Sequence, residues 1–263
     1  MAEKILGVNT RAPKGVGLRK RSVQAKASIL RAIGALGEII SLGIDFSTFS
    51  VTTRFAKKVQ ALVPQLHVVL LNAGVGMPDF RKDPEGHKIA LQLCAAATAF
   101  DGDDYSSPHL TFTSSRTFLD LVEDDVLPIQ TLIERMNDAS KLVDCRQYDL
   151  VKLCAFFCVL GLAERLRSDP NGRKIVINAA EPGLCKTDLP RYYPLVGRIF
   201  MFIFYLIFVR TIEQGARTLV GATALGLRVP GGFGPMIFSP TDFMLSERFR
   251  ELQRETWDEV FSI

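Results

Sequence analysis

The chain has 263 residues, 48% of them apolar, which suffices to bury one large core in a single domain spanning 1–263. Its 32 Lys and Arg against 28 Asp and Glu leave a net charge of +4, too small a surplus for a dedicated nucleic-acid binder, and the excess is concentrated between Lys4 and Arg31. Five cysteines without a Cys-x-x-Cys pair and three widely separated histidines (His67, His87, His109) argue against a disulfide framework and against a metal site, and point to a reduced, cytoplasmic setting. The opening residues carry a short apolar run ending at Val8, without the apolar core of an export signal.

In chain order, short apolar runs alternate with longer helix-prone stretches. Strands are expected at Lys4 to Thr10, Glu38 to Asp45, His67 to Gly74, His109 to Ser115, Lys174 to Ala180 and Pro235 to Ser239. Helices are expected at Leu18 to Leu36, Ser50 to Leu62, Pro128 to Asn137, Tyr148 to Arg167, Thr211 to Leu225 and Ser246 to Phe261. The alternation predicts an α/β fold, a doubly wound parallel sheet with helices on both faces. The stretch from Tyr148 is apolar nearly all round, so that helix should be buried. Cys154 and Cys158, one turn apart on it, read as core packing. The uncharged run from Ile199 to Val209 is too short to cross a bilayer, which takes roughly 20 residues. It reads as a lid over an apolar pocket, as an interfacial membrane patch, or as plain core.

The chemistry is concentrated in three places. Tyr148 and Lys152 stand four residues apart, so a helix stacks phenol and ammonium on one face, where the cation favours phenolate and lowers a pKa of about 10. Such a tyrosine serves as an acid or base near neutrality. Upstream, Leu71-Asn72-Ala73-Gly74 ends an apolar strand with small residues that allow close backbone approach to a ligand. Downstream lies Glu181-Pro182-Gly183-Leu184-Cys185-Lys186-Thr187.

These elements, in this order, resemble the short-chain dehydrogenase/reductase family. The run Thr211-Ile-Glu-Gln-Gly-Ala-Arg-Thr-Leu is similar to its retinol-dehydrogenase-like and fungal-type branch. The resemblance extends from about Leu18 to the end of the chain. It implies a single Rossmann-type domain with catalytic residues Ser115, Tyr148 and Lys152, Ser114 being the alternative to Ser115. It also implies a nicotinamide cofactor held by Thr10, Gly15, Gly17, Asp45, Asn72, Ala73, Gly74, Tyr148, Lys152, Pro182, Gly183 and Thr187. By the same resemblance, 190–212 is the substrate lid, the helix from Tyr148 is half of a homodimer interface, and the substrate is a hydrophobic small molecule, as in secondary metabolism. A serine at a strand end also has a purely structural use, capping a turn.

Three departures accompany the match. Arg11 stands where the family's first glycine makes a tight phosphate-binding turn, within Thr10-Arg11-Ala12-Pro13-Lys14-Gly15-Val16-Gly17. The stretch from Gly17 to Asp45 is too short for every element the family places there, so one strand should be missing, and Arg19-Lys20-Arg21 favours NADP(H) over NAD. Cys94 occupies the position of the family's asparagine, and the stretch from Cys94 to Pro108 is too short for the usual long helix. The leading expectation is an NADP(H)-dependent oxidoreductase interconverting a ketone and a secondary alcohol. The alternatives are a non-redox isomerase or cyclase using Tyr148 as an acid, and a silent interaction protein making peripheral membrane contact through 199–209.

Overall fold

The computed structural model describes residues 3–10, 37–44, 49–63, 67–72, 109–126, 131–137, 146–168, 175–185, 210–223 and 240–262. β1 (Glu3–Thr10) and β2 (Gly37–Ile44) form a parallel pair with Glu3 opposite Gly37 and Thr10 opposite Ile44. The two strands therefore end level with each other. The first strand pairs directly with the strand that precedes Asp45. Next comes α1 (Phe49–Leu62), with Phe55, Ala56 and Val59 buried and Arg54, Lys57 and Lys58 exposed, the arrangement of a helix with one apolar stripe.

β3 (Val68–Leu71), β4 (His109–Thr113) and β5 (Val176–Ala180) form a second parallel sheet, in that order. Val68 lies opposite His109, and His109 opposite Val176. Strand alternation gives β4 and β5 two buried faces, while Val68 and Leu70 of the edge strand β3 are exposed. On one, Leu110 and Phe112 of β4 and Ile177 of β5 pack with Val159, Leu162 and Ala163 of a long helix. On the other, Ala180 packs with Leu219 and Ala222, and Asn178 Nδ2 donates to the Ala222 carbonyl at 2.9 Å. Helices thus lie on both faces of the sheet at β4 and β5, as the sequence pattern implies.

The next elements are a 3₁₀ turn (Arg116–Asp120) and two short helices, α2 (Glu123–Val126) and α3 (Leu132–Asn137). The long helix is α4 (Arg146–Arg167), and α5 is Ile212–Thr223. α6 (Asp242–Leu245) and α7 (Glu247–Ser262) close the chain. α4 is buried nearly all round because the chain itself covers it. One face meets the sheet, while Leu150, Leu153, Phe156 and Phe157 pack against Phe118, Leu121, Leu132, Met136, Phe249 and Leu252. Phe156 stacks on Phe118 at 5.0 Å, and Phe157 meets Phe249 edge-on at 4.9 Å. Cys154 and Cys158 are fully buried in this core, the packing role expected of them.

Most boundaries fall within a residue or two of expectation, but the strand from His109 stops at Thr113 rather than Ser115. Ser114 N–H still reaches across to the Ala180 carbonyl at 2.8 Å. Ser115 then caps the 3₁₀ turn, its side chain accepting from Thr117 N–H. The helix expected from Pro128 begins at Leu132. The 3₁₀ turn and α6, which the sequence pattern does not reveal, are each about one turn long and start at a capping hydroxyl, Ser115 and Thr241. The expected helix at Leu18 to Leu36 and strand at Pro235 to Ser239 lie outside the described residues. No helix among the described residues is long and apolar enough to cross a membrane.

Candidate active site

The carboxyl ends of β3, β4 and β5 come together with the first turns of α4, the edge at which open parallel sheets hold ligands. Asn72 follows β3, Thr113 ends β4, and Pro182 and Gly183 follow β5. Thr113 joins them to the helix. Its hydroxyl donates to Asn72 Oδ1 at 2.9 Å, and its carbonyl accepts from Lys152 Nζ at 3.0 Å. An ammonium has three N–H donors, of which this carbonyl takes one and so fixes the direction of the others. Lys152 Nζ stands 5.7 Å from the centroid of the Tyr148 ring, so phenol and ammonium share a face of α4 as their spacing requires. Both are half-buried.

Ser115 follows two residues after Thr113, the end of β4. Its Oγ lies 3.2 Å from Thr117 Oγ1 and accepts from Thr117 N–H at 3.4 Å. Thr117 in turn hydrogen-bonds the side chain of Asp149, the residue after Tyr148. Burial pushes the Asp149 carboxyl above its ordinary value. The Thr117 hydrogen bond and the Arg146 guanidinium pull it down, while Asp120 and Asp125 push it further up. Arg146 holds this corner together, reaching Asp125 at 3.5 Å, Asp149 at 4.0 Å and the Asp120 carbonyl at 3.0 Å.

Gly183 has φ +73°, a left-handed conformation that side chains disfavour, and a Cβ there would stand 3.3 Å from Arg210 Nη1. Arg210 N–H donates to the Leu184 carbonyl at 2.9 Å, and Arg210 bridges Cys185 in parallel. This contact ties together the two ends of the segment that holds the Ile199 to Val209 run. Cys185 Sγ donates to the Pro182 carbonyl at 3.4 Å, closing the turn from inside.

Of the residues expected at the site, Asn72, Ser115, Tyr148, Lys152, Pro182 and Gly183 are therefore placed at one edge of one sheet. Thr10 ends β1, level with Ile44. Gly15, Gly17, Asp45, Ala73, Gly74 and Thr187 lie outside the described residues, as do Arg11, Cys94 and residues 199–209. Thr113, Thr117 and Asp149 are additions from the structure. The only signal for Asp149 was its place inside the Tyr148 to Lys152 interval, and Thr113 acts through a carbonyl that any residue would supply.

No protein-family model matches the chain. Curated relatives do. The short-chain dehydrogenase/reductase phmF of Phaeosphaeria nodorum is 27% identical over 95% of this chain and 77% of its own length. The short-chain dehydrogenase/reductase ffsI of Aspergillus flavipes is 29% identical over 94% and 76%. Among solved structures, the alcohol dehydrogenase of Thermococcus sibiricus complexed with 5-hydroxy-NADP superposes with a TM-score of 0.53 over 92% of this chain and all of its own, at 14% identity. The 3-oxoacyl-[acyl-carrier protein] reductase of Brucella melitensis in complex with NAD gives 0.52 over 89% and 95%, at 17% identity. The structural likeness establishes the Rossmann-type fold. Along the sequence, the chain is similar over more than nine-tenths of its length to these curated short-chain dehydrogenases/reductases.

Proposed function

We propose that the protein is an NADP(H)-dependent oxidoreductase that interconverts a ketone and a secondary alcohol on a hydrophobic small molecule. The observation that carries this reading is the continuous link from Asn72 through Thr113 to Lys152, with the ammonium against the Tyr148 ring, at the carboxyl edge of the parallel sheet. A bound nicotinamide would supply or accept the hydride. Tyr148 would hold the substrate oxygen and pass the proton, and the ammonium of Lys152 would stabilise the negative charge left on the phenol oxygen. Ser115 would hydrogen-bond the same substrate oxygen and orient it.

The described residues suit the nicotinamide half of such a cofactor. Lys152, one of whose donors goes to the Thr113 carbonyl, would line it with Asn72 and Gly183. Thr10, Gly15, Gly17, Asp45, Ala73, Gly74, Pro182 and Thr187 complete the proposed cofactor set, with Arg19, Lys20 and Arg21 favouring the 2′-phosphate. The Cys185 to Arg210 bridge supports 190–212 as a lid, since it anchors both ends beside Gly183. A homodimer and a cytoplasmic setting belong to the same proposal.

The test combines binding and turnover. NADPH at a hundredfold excess over its dissociation constant should stabilise the protein by about 2.7 kcal/mol, and NADH by less. Tyr148→Phe should keep that stabilisation while reducing carbonyl turnover roughly 10²- to 10⁴-fold. A Tyr148→Phe protein with full turnover, or a protein indifferent to both nucleotides, refutes the redox reading.

A further inference from the structure

Gly183 lacks a side chain, and the space a side chain would fill is taken by Arg210. A Cβ on Gly183 would stand 3.3 Å from Arg210 Nη1, 3.4 Å from Cδ and 3.5 Å from Cζ. Atoms at so nearly one distance mean that the end of the arginine lies broadside over the glycine. Its backbone is fixed as well: Arg210 N–H donates to the Leu184 carbonyl at 2.9 Å, and the residue bridges Cys185. Immediately after it, Thr211 and Gln214 cap α5 reciprocally, Thr211 N–H donating to Gln214 Oε1 at 2.9 Å and Gln214 N–H to Thr211 Oγ1 at 3.2 Å. Contacts on its backbone and on its side chain thus place the guanidinium at the turn that follows β5.

What this cation lacks is a counter-charge. Arg210 is exposed, and among the described residues no carboxylate lies within ion-pairing distance of it. Glu213, on the first turn of α5, is taken by Arg217 at 2.7 Å. A guanidinium presents its N–H donors in a planar fork that matches two oxygens of a carboxylate or of a phosphate. From this geometry we infer that Arg210 is an oxyanion-binding residue of the site, holding a carboxylate or phosphate group of the ligand that lies against the Pro182 and Gly183 turn. This deepens the oxidoreductase reading and rests on it, because the two sources of such a group at that site are a carboxylate on the hydrophobic substrate and the phosphates of the cofactor.

The glycine is part of the same device. A side chain at position 183 would have to displace the guanidinium, and the φ of +73° already disfavours one. Because the arginine rests on the turn, it loses less side-chain freedom when an anion binds than an arginine extended into water would. The reciprocal cap occupies the Thr211 and Gln214 N–H groups at the start of α5, so the contact falls to the Arg210 side chain. Arg210 makes and breaks no covalent bond in this scheme, and the proton stays with Tyr148.

Calorimetric binding to Arg210→Gln tests this, since the change removes the charge of an exposed side chain and keeps the backbone contacts. One arm compares phenylacetate with its neutral analogue phenylacetamide on the protein without nucleotide, and the other uses NADPH. If the substrate supplies the anion, Arg210→Gln should weaken phenylacetate about fivefold, the upper value of an exposed ion pair, and leave phenylacetamide and NADPH unchanged. If the cofactor supplies it, NADPH should weaken about fivefold and the ratio of phenylacetate to phenylacetamide affinity should stay the same. Arg210→Lys should fall between the parent and Arg210→Gln in whichever arm responds, since it keeps the charge without the fork. Affinities for phenylacetate and for NADPH that are both indifferent to Arg210→Gln overturn the inference. Failure of NADPH to bind either protein counts against the redox reading alone, and the phenylacetate arm still decides the role of Arg210.

Discussion

Gly161 sets two rules of helix chemistry against each other. It lies inside α4, where replacing glycine by alanine ordinarily stabilises by about 1 kcal/mol because the unfolded chain loses freedom. Here the new methyl would overlap the indole of Trp257, meeting Cδ2 and Cε3 and standing 2.8 Å from Cγ. Carbon atoms in good contact stand roughly 3.5–4.0 Å apart. The indole is a rigid plane, packed by α7 against the cluster of Leu110, Phe112, Val159 and Ile177, so it cannot yield as the tip of a lysine would. Overpacking of this kind costs about 1–3 kcal/mol, which outweighs the propensity gain. Gly161→Ala should therefore be net destabilising by about 1 kcal/mol, lowering Tm by about 2–4 °C. The chain has one tryptophan, so its fluorescence during urea unfolding reports on this contact directly. Trp257→Leu makes room, and in a double-mutant cycle read by circular dichroism the two changes should cost less together than in sum. A Gly161→Ala protein more stable than the parent, or strict additivity, would show that α7 does not lie on α4 as described.

Other consequences can be checked on the same protein. Thr111 is fully buried in β4 and its hydroxyl has no hydrogen-bond partner, so Thr111→Val, which keeps the shape and removes the stranded oxygen, should raise stability by about 1–2 kcal/mol in chemical denaturation. Asn178→Leu should lower stability by about 1–3 kcal/mol, since it leaves the buried Ala222 carbonyl without its donor. Because the native Asp149 carboxyl is raised, the folded state holds more protons than the unfolded state between the two values. Stability therefore falls as pH rises through that window. Asp149→Asn abolishes the loss, so its stability relative to the parent should increase from pH 3 toward neutrality, and a flat difference would contradict the burial described for this group.

Much of this architecture was legible in the order of residues because its causes are local or periodic. The runs at Lys4, Glu38, His67, His109 and Lys174 each became a strand, since a buried parallel strand needs little more than a short apolar stretch. The interval between Tyr148 and Lys152 placed phenol and ammonium together because helical geometry allows nothing else. Ser115 shows where such reading stops. Alternation along a strand predicts which serine faces a cleft, but the strand ends at Thr113 and the serine turns to cap the next element.

From the sequence alone came the α/β alternation, the tyrosine and lysine pair and the two flanking turns, because each rests on spacing within one element. Folding in three dimensions settled which groups meet across elements. Thr113 bridges Asn72 and Lys152 over a separation no pattern encodes, Thr117 reaches Asp149 from the far end of another segment, and α7 covers the face of α4 that composition marks only as apolar. The physical reason is that a hydrogen bond or a packed ring acts over a few ångströms of space. Distance along the chain carries no record of it.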